Sequence, residues 1–328
     1  MLDGIDLAAI GIFATQVKEP VIKLLDVVEK GIGKIYEPTH IKRMAKAKAE
    51  EIRLISAASE ENMNLPILYL NGNVEIDTKS GEELALRAQN RLFHKEVQRQ
   101  NNIETTIRHA YNDLQAEEVV SAEPVDQDWA TRFFNIVGEV NNEDMQVLWG
   151  KILSGEVKQP GSYSLRTLET LRNLSKKEAE AFTKITNYVL QSNATFLIYR
   201  DQDFLDSVGI KYADILLLDE SGLLKGDTTL QYTMSFTEQR NTFGLIYQNK
   251  IVLLHDKNTE DRKINVPCYV LTKAGSEIYS ISSKNNDESY INNTATKLKE
   301  QNLTVEYSQI IRVNPDGTIN YSEAIKTL

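Results

Sequence analysis

Leu148–Phe182 reads LWGKILSGEVKQPGSYSLRTLETLRNLSKKEAEAF, and the way this stretch divides decides the fold. Leu148, Trp149, Ile152 and Leu153 recur at helical spacing, Gly155 and Pro160-Gly161 force a turn, and Leu165, Leu168 and Leu171 mark a second helix. Ser175 and Glu178 form a capping box, in which each side chain satisfies the other residue's backbone amide. A third helix therefore starts there, with Ala179, Phe182, Ile185 and Val189 facing inward. Upstream, Pro124 and Asp126 open a helix, and Asp128 suits the positive end of its dipole. Trp129, Phe133, Ile136, Val137 and Val140 share one face of it, and Asn141-Asn142 both stops it and caps the helix of Met145 and Trp149. Burial accounts for every bulky apolar residue, and helix punctuation accounts for the Gly, Pro, Ser and Asn residues. The stretch reads as the middle of a helical core, not as a reactive site.

Toward the N-terminus, positions 82–123 contain neither Gly nor Pro and read as a long helix with Ile103, Ile107, Ala110, Tyr111 and Leu114 on one face. At 1.5 Å per residue such a rod is on the order of 55 Å long and can brace a domain or join an intermolecular bundle. ILYLNGNVEI, residues 67–76, reads as a hairpin about Asn71-Gly72, or as a mobile insert between helices. Residues 5–36 carry Ile10, Phe13, Val17, Val21, Leu24, Val28, Ile32 and Ile35 at steps of three or four, one continuous helical stripe. Pro20 lies within it and predicts a kink or two abutting helices. The stripe can dock on the protein's own core, self-associate, or touch a membrane surface with help from Lys18, Lys23, Lys30 and Lys34. Thr39 then caps a helix whose Lys42, Arg43, Lys46 and Lys48 are densely basic. That cluster is either a solvated face or a nucleic-acid contact, and no aromatic residue is interleaved to stack on bases.

From about residue 195 the texture becomes mixed. KYADILLLDESGLLK is a helix ending at Gly222, and QYTMSF, FGLIYQNKIVLL and NVPCYVL read as strands. Asp261–Ile281, DRKINVPCYVLTKAGSEIYSI, resembles the wing strand and final helix of a winged-helix domain, with Thr272 as the helix cap. A further helix near Ala295–Glu300 and two strands joined at Asp316-Gly317 follow. The helix in the recognition position, Lys211–Leu223, carries Asp214, Asp219 and Glu220 against a single lysine. Phosphates would repel it, so the domain is expected to bind protein, with Arg262 and Lys263 at the wing as the only backbone contacts a DNA-binding reading would use. The expected fold is α+β: a mainly helical N-terminal two-thirds with a long helix, followed by a winged-helix-like α+β domain. Its parts are N-terminal amphipathic helices (1–60), a hairpin or insert (61–81), a helical core (82–192) and the mixed domain (195–328).

Bulk composition excludes several classes. A length of 328 residues suggests two domains, and a net charge of −10 opposes broad phosphate binding. One cysteine, Cys268, excludes disulfide frameworks and cysteine-based zinc sites. The histidines are scattered, and no P-loop, GxSxG, Rossmann or paired-carboxylate signature occurs, so no cofactor is expected. GIGK, Gly31–Lys34, is too short for a phosphate loop and reads as a helix end. The longest apolar run, LAAIGIFA, falls short of the roughly 20 residues a membrane span needs, and Asp3 and Asp6 oppose a signal peptide; the expected location is the cytoplasm. Arg87 and His94 alone have the R-x6-H spacing of HEPN-type ribonucleases, in which such a pair would activate the ribose hydroxyl and stabilise phosphate charge.

The central pattern of LWGKIL, a Pro-Gly turn, a leucine-rich helix and LSKKEAEAF, together with RAQNRLFHKEVQRQNNIETTI from Arg87 to Ile107, resembles an uncharacterised bacterial family of proteins of unknown function over about residues 80–325. A looser form of the pattern, about 143–185, is similar to the Abi-alpha group of abortive-infection proteins. The resemblances imply a bacterial setting, phage defence in the second case, and no mechanism. The expectation is a non-catalytic assembly or interaction protein, a homo-oligomer or partner-binding chain acting through Ile10, Phe13, Val17, Val21, Leu24 and Val28. The alternatives are a ribonuclease using Arg87 and His94, and a winged-helix DNA-binding regulator.

Overall fold

The computed structural model describes residues 18–33, 67–70, 73–76, 78–256, 258, 260–314, 317–323 and 326–327, and it is α+β. The chain divides into two compact units between Leu165 and Arg166. The helices after the Pro-Gly turn thus belong with the C-terminal sheet.

The first unit holds α1 (Glu19–Ile32), a hairpin of β1 (Ile67–Leu70) and β2 (Asn73–Ile76), α2 (Thr78–Leu114), α3 (Gln127–Val137) and α4 (Glu143–Lys158). Caps fall where the sequence places them: Asp126 accepts from the Trp129 amide at 2.8 Å and Asn142 from the Met145 amide at 3.0 Å. The core is aromatic. Phe133 stacks on Trp129 at 5.0 Å and meets Trp149 edge-on at 5.6 Å, geometries that suit the ring quadrupoles. The Trp129 indole also donates to the Tyr163 carbonyl at 2.7 Å, so its one polar atom is satisfied on burial. The buried Glu156 carboxylate accepts from the Gly161 amide at 2.6 Å and the Tyr163 amide at 3.0 Å, pinning the Pro-Gly turn.

Two glycines set helix spacings. A Cβ at Gly31 would stand 2.2 Å from the Phe134 ring, so α1 lies hard against α3. At Gly150 it would stand 2.5 Å from the His109 Cβ and 3.2 Å from the Ala110 nitrogen, so α4 crosses α2 almost backbone to backbone. Pro20 sits in the first turn of α1, where its missing N–H leaves no bond unmade; the segment before it, which the expected kink or pair of abutting helices would involve, lies outside the described residues. The long helix ends at Leu114, short of the expected reach to Glu123. No breaker stops it. Instead the Ser121 amide donates to the Lys158 carbonyl at 3.0 Å and Lys23 donates to the Ser121 carbonyl at 2.6 Å, drawing the chain back across α4 and α1.

The second unit contains α5 (Leu165–Arg172), α6 (Lys176–Ile185), β3 (Leu190–Ser192), β4 (Thr195–Tyr199), α7 (Gln202–Ser207), α8 (Tyr212–Glu220), β5 (Leu224–Lys225), β6 (Gln231–Phe236), β7 (Thr242–Tyr247), β8 (Lys250–Asp256), β9 (Arg262–Leu271), α9 (Lys273–Ile281), α10 (Glu288–Lys299), β10 (Leu303–Val313), β11 (Ile319–Tyr321) and β12 (Lys326–Thr327). The capping box before α6 forms in both directions. The antiparallel sheet runs β11-β10-β8-β7-β3-β4-β9-β5, with β6 also on β9 and β12 on β10. Thr272 caps α9 through the Gly275 amide, at 3.1 Å. Helix α10 begins well before the expected Ala295, because Asp287 accepts from the Ser289 amide and launches it. Tyr290, fully buried on α10, then accepts from the Tyr199 amide at 2.8 Å and ties the helix to the sheet.

The α2–α4 crossing makes a direct prediction. Gly150→Ala improves helix propensity by about 1 kcal/mol, yet the added methyl overpacks the crossing at a cost of about 1–3 kcal/mol, so unfolding free energy is expected to fall by up to about 2 kcal/mol net. Denaturant titration of the two proteins checks the sign.

Candidate functional site

The residues Leu84 to Gln98 are mostly strong helix formers, so this half of α2 holds its shape by propensity. None of them is buried; from Leu84 onward the first buried residue on the helix is Asn102. Beyond it Ile103, Ile107, Ala110 and Leu114 pack into the unit. Asn102 is the joint. It donates to the Gly138 carbonyl at 3.0 Å and to Asn141 at 2.9 Å, and accepts from Gln146 at 3.2 Å and Gln98 at 3.0 Å.

On the projecting half, Leu86 (58% exposed), Phe93 (70%) and Val97 (44%) recur at i, i+7 and i+11, with Asn90 between them. This is a narrow row of the kind that seams a coiled coil, with a polar residue at one seam position. A phenylalanine this exposed is more telling than an exposed leucine. The opposite side carries Arg87, Arg91, Lys95 and Arg99 at steps of four. Arg99 reaches Glu139 at 3.4 Å, whereas Arg91 and Lys95 pair with no described residue. The i, i+4 spacing of this cationic row is present in the sequence, but the row is sparser than the cluster at Lys42–Lys48, and its exposure is set by the fold.

The sequence candidates fall into four groups. Ile10, Phe13, Val17, Thr39, Lys42, Arg43, Lys46 and Lys48, with the turn residues Asn71, Gly72 and Asp316, lie outside the described residues. Val21, Leu24 and Val28 are buried within the first unit, where α1 packs on α3, so these three residues take part in the protein's own core and offer no free face. Arg87 and His94 lie two turns apart on α2, both exposed. At the wing, Arg262 is turned inward: its guanidinium pairs with the buried Asp256 and donates to the Gln301 carbonyl at 2.9 Å, leaving Lys263 as the exposed cation.

One constellation was invisible in the sequence. Strand pairing brings the Thr242 hydroxyl to 2.9 Å from His255 Nδ1, and Glu306 to 3.4 Å from Nε2. The connectivity is that of a nucleophile, base and orienting acid. The setting is not: Thr242 opens β7 and His255 lies one residue from the end of β8, the neighbouring Asp256 amide bonds the Asn241 carbonyl, and the Thr242 hydroxyl also donates to Asn241 at 3.1 Å. No oxyanion-binding pair of amides stands beside it. A shallow depression of about 360 Å³, lined mainly by polar side chains among them Arg166, Glu169 and Glu220 with Leu174, is open to solvent and does not enclose a ligand as binding sites do. Among the described residues no three His, Cys, Asp or Glu side chains group as metal ligands, and no helix is long and apolar enough to cross a membrane.

The family model described as "Protein of unknown function (DUF2806)" matches residues 86–295. The chain belongs to that family. The match begins in the projecting half of α2 and ends in α10, so it takes in both the seam and the α8 face. No curated protein and no solved structure matches the chain.

Where α2 meets α4, Asp113 accepts from the Ser154 hydroxyl at 2.5 Å and from Lys158 at 3.0 Å, and Lys158 also pairs with Glu117 at 2.9 Å. Burial pushes the Asp113 carboxyl up, but the hydrogen bonds from Ser154 and Lys158 with the Lys158 charge outweigh it and hold its pKa below the usual value. A depressed folded pKa contributes stability above the unfolded value of about 3.9, and that contribution is lost as pH falls through the folded value. Asp113→Asn is therefore expected to be less stable than wild type at neutral pH, and the gap should close below about pH 4. Urea midpoints measured across pH check it.

Proposed function

We propose that this chain is a non-catalytic interaction protein that self-assembles through the seam on the projecting half of α2. The exposed Leu86, Phe93 and Val97 carry the reading. Leu86, Phe93 and Val97 share one narrow row, which matches a second helix better than a broad groove; Leu84 and Leu92, also exposed, lie off that row. Asn90, within the row, is best satisfied opposite its own copy, which is how such a residue fixes register and helix number.

A second interaction surface is α8. The order α6, β4, α7, α8, β5, β9, with β9 between β4 and β5, supports a winged-helix reading of this part of the sheet, enlarged by the β7–β8 hairpin. In that reading α8 takes the recognition position. It exposes Tyr212 and Leu216 one turn apart beside Glu220, a face suited to protein and opposed to phosphate. A setting in phage defence rests only on the likeness of residues 143–185 to the Abi-alpha group.

Light scattering on a sizing column tests the assembly. Wild type is expected to elute as an oligomer at micromolar concentration and Phe93→Glu as a monomer with unchanged helical circular dichroism. A wild-type protein that stays monomeric overturns the proposal.

A further inference from the structure

We infer that the cationic side of the projecting half of α2 is a track for the phosphodiester backbone of nucleic acid, held without base readout. Arg87, Arg91, Lys95 and Arg99 form a single i, i+4 ridge, about 6 Å per step and about 18 Å in all at the helical rise. Such a pitch is comparable to the separation of successive phosphates along one extended strand. Three of the four are arginines, whose planar forks engage phosphate oxygens in pairs. Glu96, the sole carboxylate between Leu84 and Gln98, lies about a third of a turn round from Lys95 and flanks the ridge at Arg99, while Glu83 stands one turn before Arg87, so Arg91 and Lys95 form the part clear of acidic neighbours at i, i+4. Arg91 and Lys95, at the centre, have no competing ion pair among the described residues, and Arg99 holds Glu139 only at 3.4 Å.

The net charge of −10 does not defeat this site. Arg91 precedes Asn102, where burial begins, by eleven positions, or about 16 Å of helix. That exceeds the screening length of about 8 Å at physiological salt, so the local row and not the acidic bulk sets the field at the ridge. The centre of the ridge, Arg91 and Lys95, lies on the far side of the helix from Leu86, Phe93 and Val97, beside the exposed Leu84 and Leu92, so it stays open when the seam is closed. An anionic bilayer fits less well. With the apolar row sunk in the interface, the cations would point away from the headgroups. Phe93, on the opposite face, cannot stack on bases held at the ridge, so binding is to backbone and indifferent to sequence.

Fluorescence anisotropy with labelled single-stranded RNA and with duplex DNA, each of two unrelated sequences, tests the inference. Wild type should bind with little sequence preference, and affinity should fall steeply between about 50 and 200 mM salt with a log–log slope of roughly −2 to −4, as two to four released counterions require. Arg91→Glu/Lys95→Glu should lose at least tenfold in affinity with unchanged circular dichroism and unchanged oligomeric mass. Lys176→Glu/Lys177→Glu, the same charge change on α6, should keep it. Three results overturn the inference: no binding by wild type at low salt, equal loss in both double variants, or binding to anionic vesicles but to neither nucleic acid. The assembly test is independent, since Phe93→Glu alters the seam and leaves the ridge intact.

Discussion

The crossing of α2 and α4 at Gly150 is the constraint on which the first unit depends. With no side chain at that position, the two backbones approach closely where α2 and α4 pack, and Ile107, Ala110 and Leu114 of one helix and Trp149, Ile152 and Leu153 of the other are all buried. Bulk at the crossing would force the helices apart and open voids between them, and cores respond to gaps of even a methylene. The aromatic group of Trp129, Phe133 and Trp149 is built on the same spacing.

The crossing also explains why α2 has two characters. Its second half is committed to the core and stitched by Asn102, Asp113 and their partners. In the first half no residue from Leu84 to Gln98 is buried, and strong helix formers sustain the helix there. A free half-helix can therefore present different chemistry on its two sides, apolar along Leu86, Phe93 and Val97 and cationic along Arg87 to Arg99. Neither row could serve a partner if the helix packed along its whole length.

Local signals made much of this architecture readable. Asp126, Asn142, Ser175 and Thr272 cap helices because their side chains bond backbone amides two or three residues on, a contact that spacing alone specifies. The hairpin at 67–76 and the C-terminal strands were legible for the same reason. What could not be read depends on distant partners. The end of α2 is fixed by Lys23, Lys158 and Ser121 rather than by a breaker, and the burial of Val21, Leu24 and Val28 is decided by Phe134 and its neighbours. Arg262 looked like a wing cation because nothing in its neighbourhood announces that Gln301 and Asp256 will claim it. The site was half legible: the seam and the cationic ridge are both written in the spacing of one helix, but their exposure is a property of the fold.

The central claim is that one continuous helix is anchored by its second half and offers its first half to a partner. Hydrogen exchange resolved along α2 tests it most directly. Amides from Ile103 to Leu114 should be protected near the global limit at every protein concentration, while those from Leu84 to Gln98 should exchange quickly when dilute and slow as concentration rises. Strong, concentration-independent protection across Leu84–Gln98, in wild type and in Phe93→Glu alike, would contradict the account.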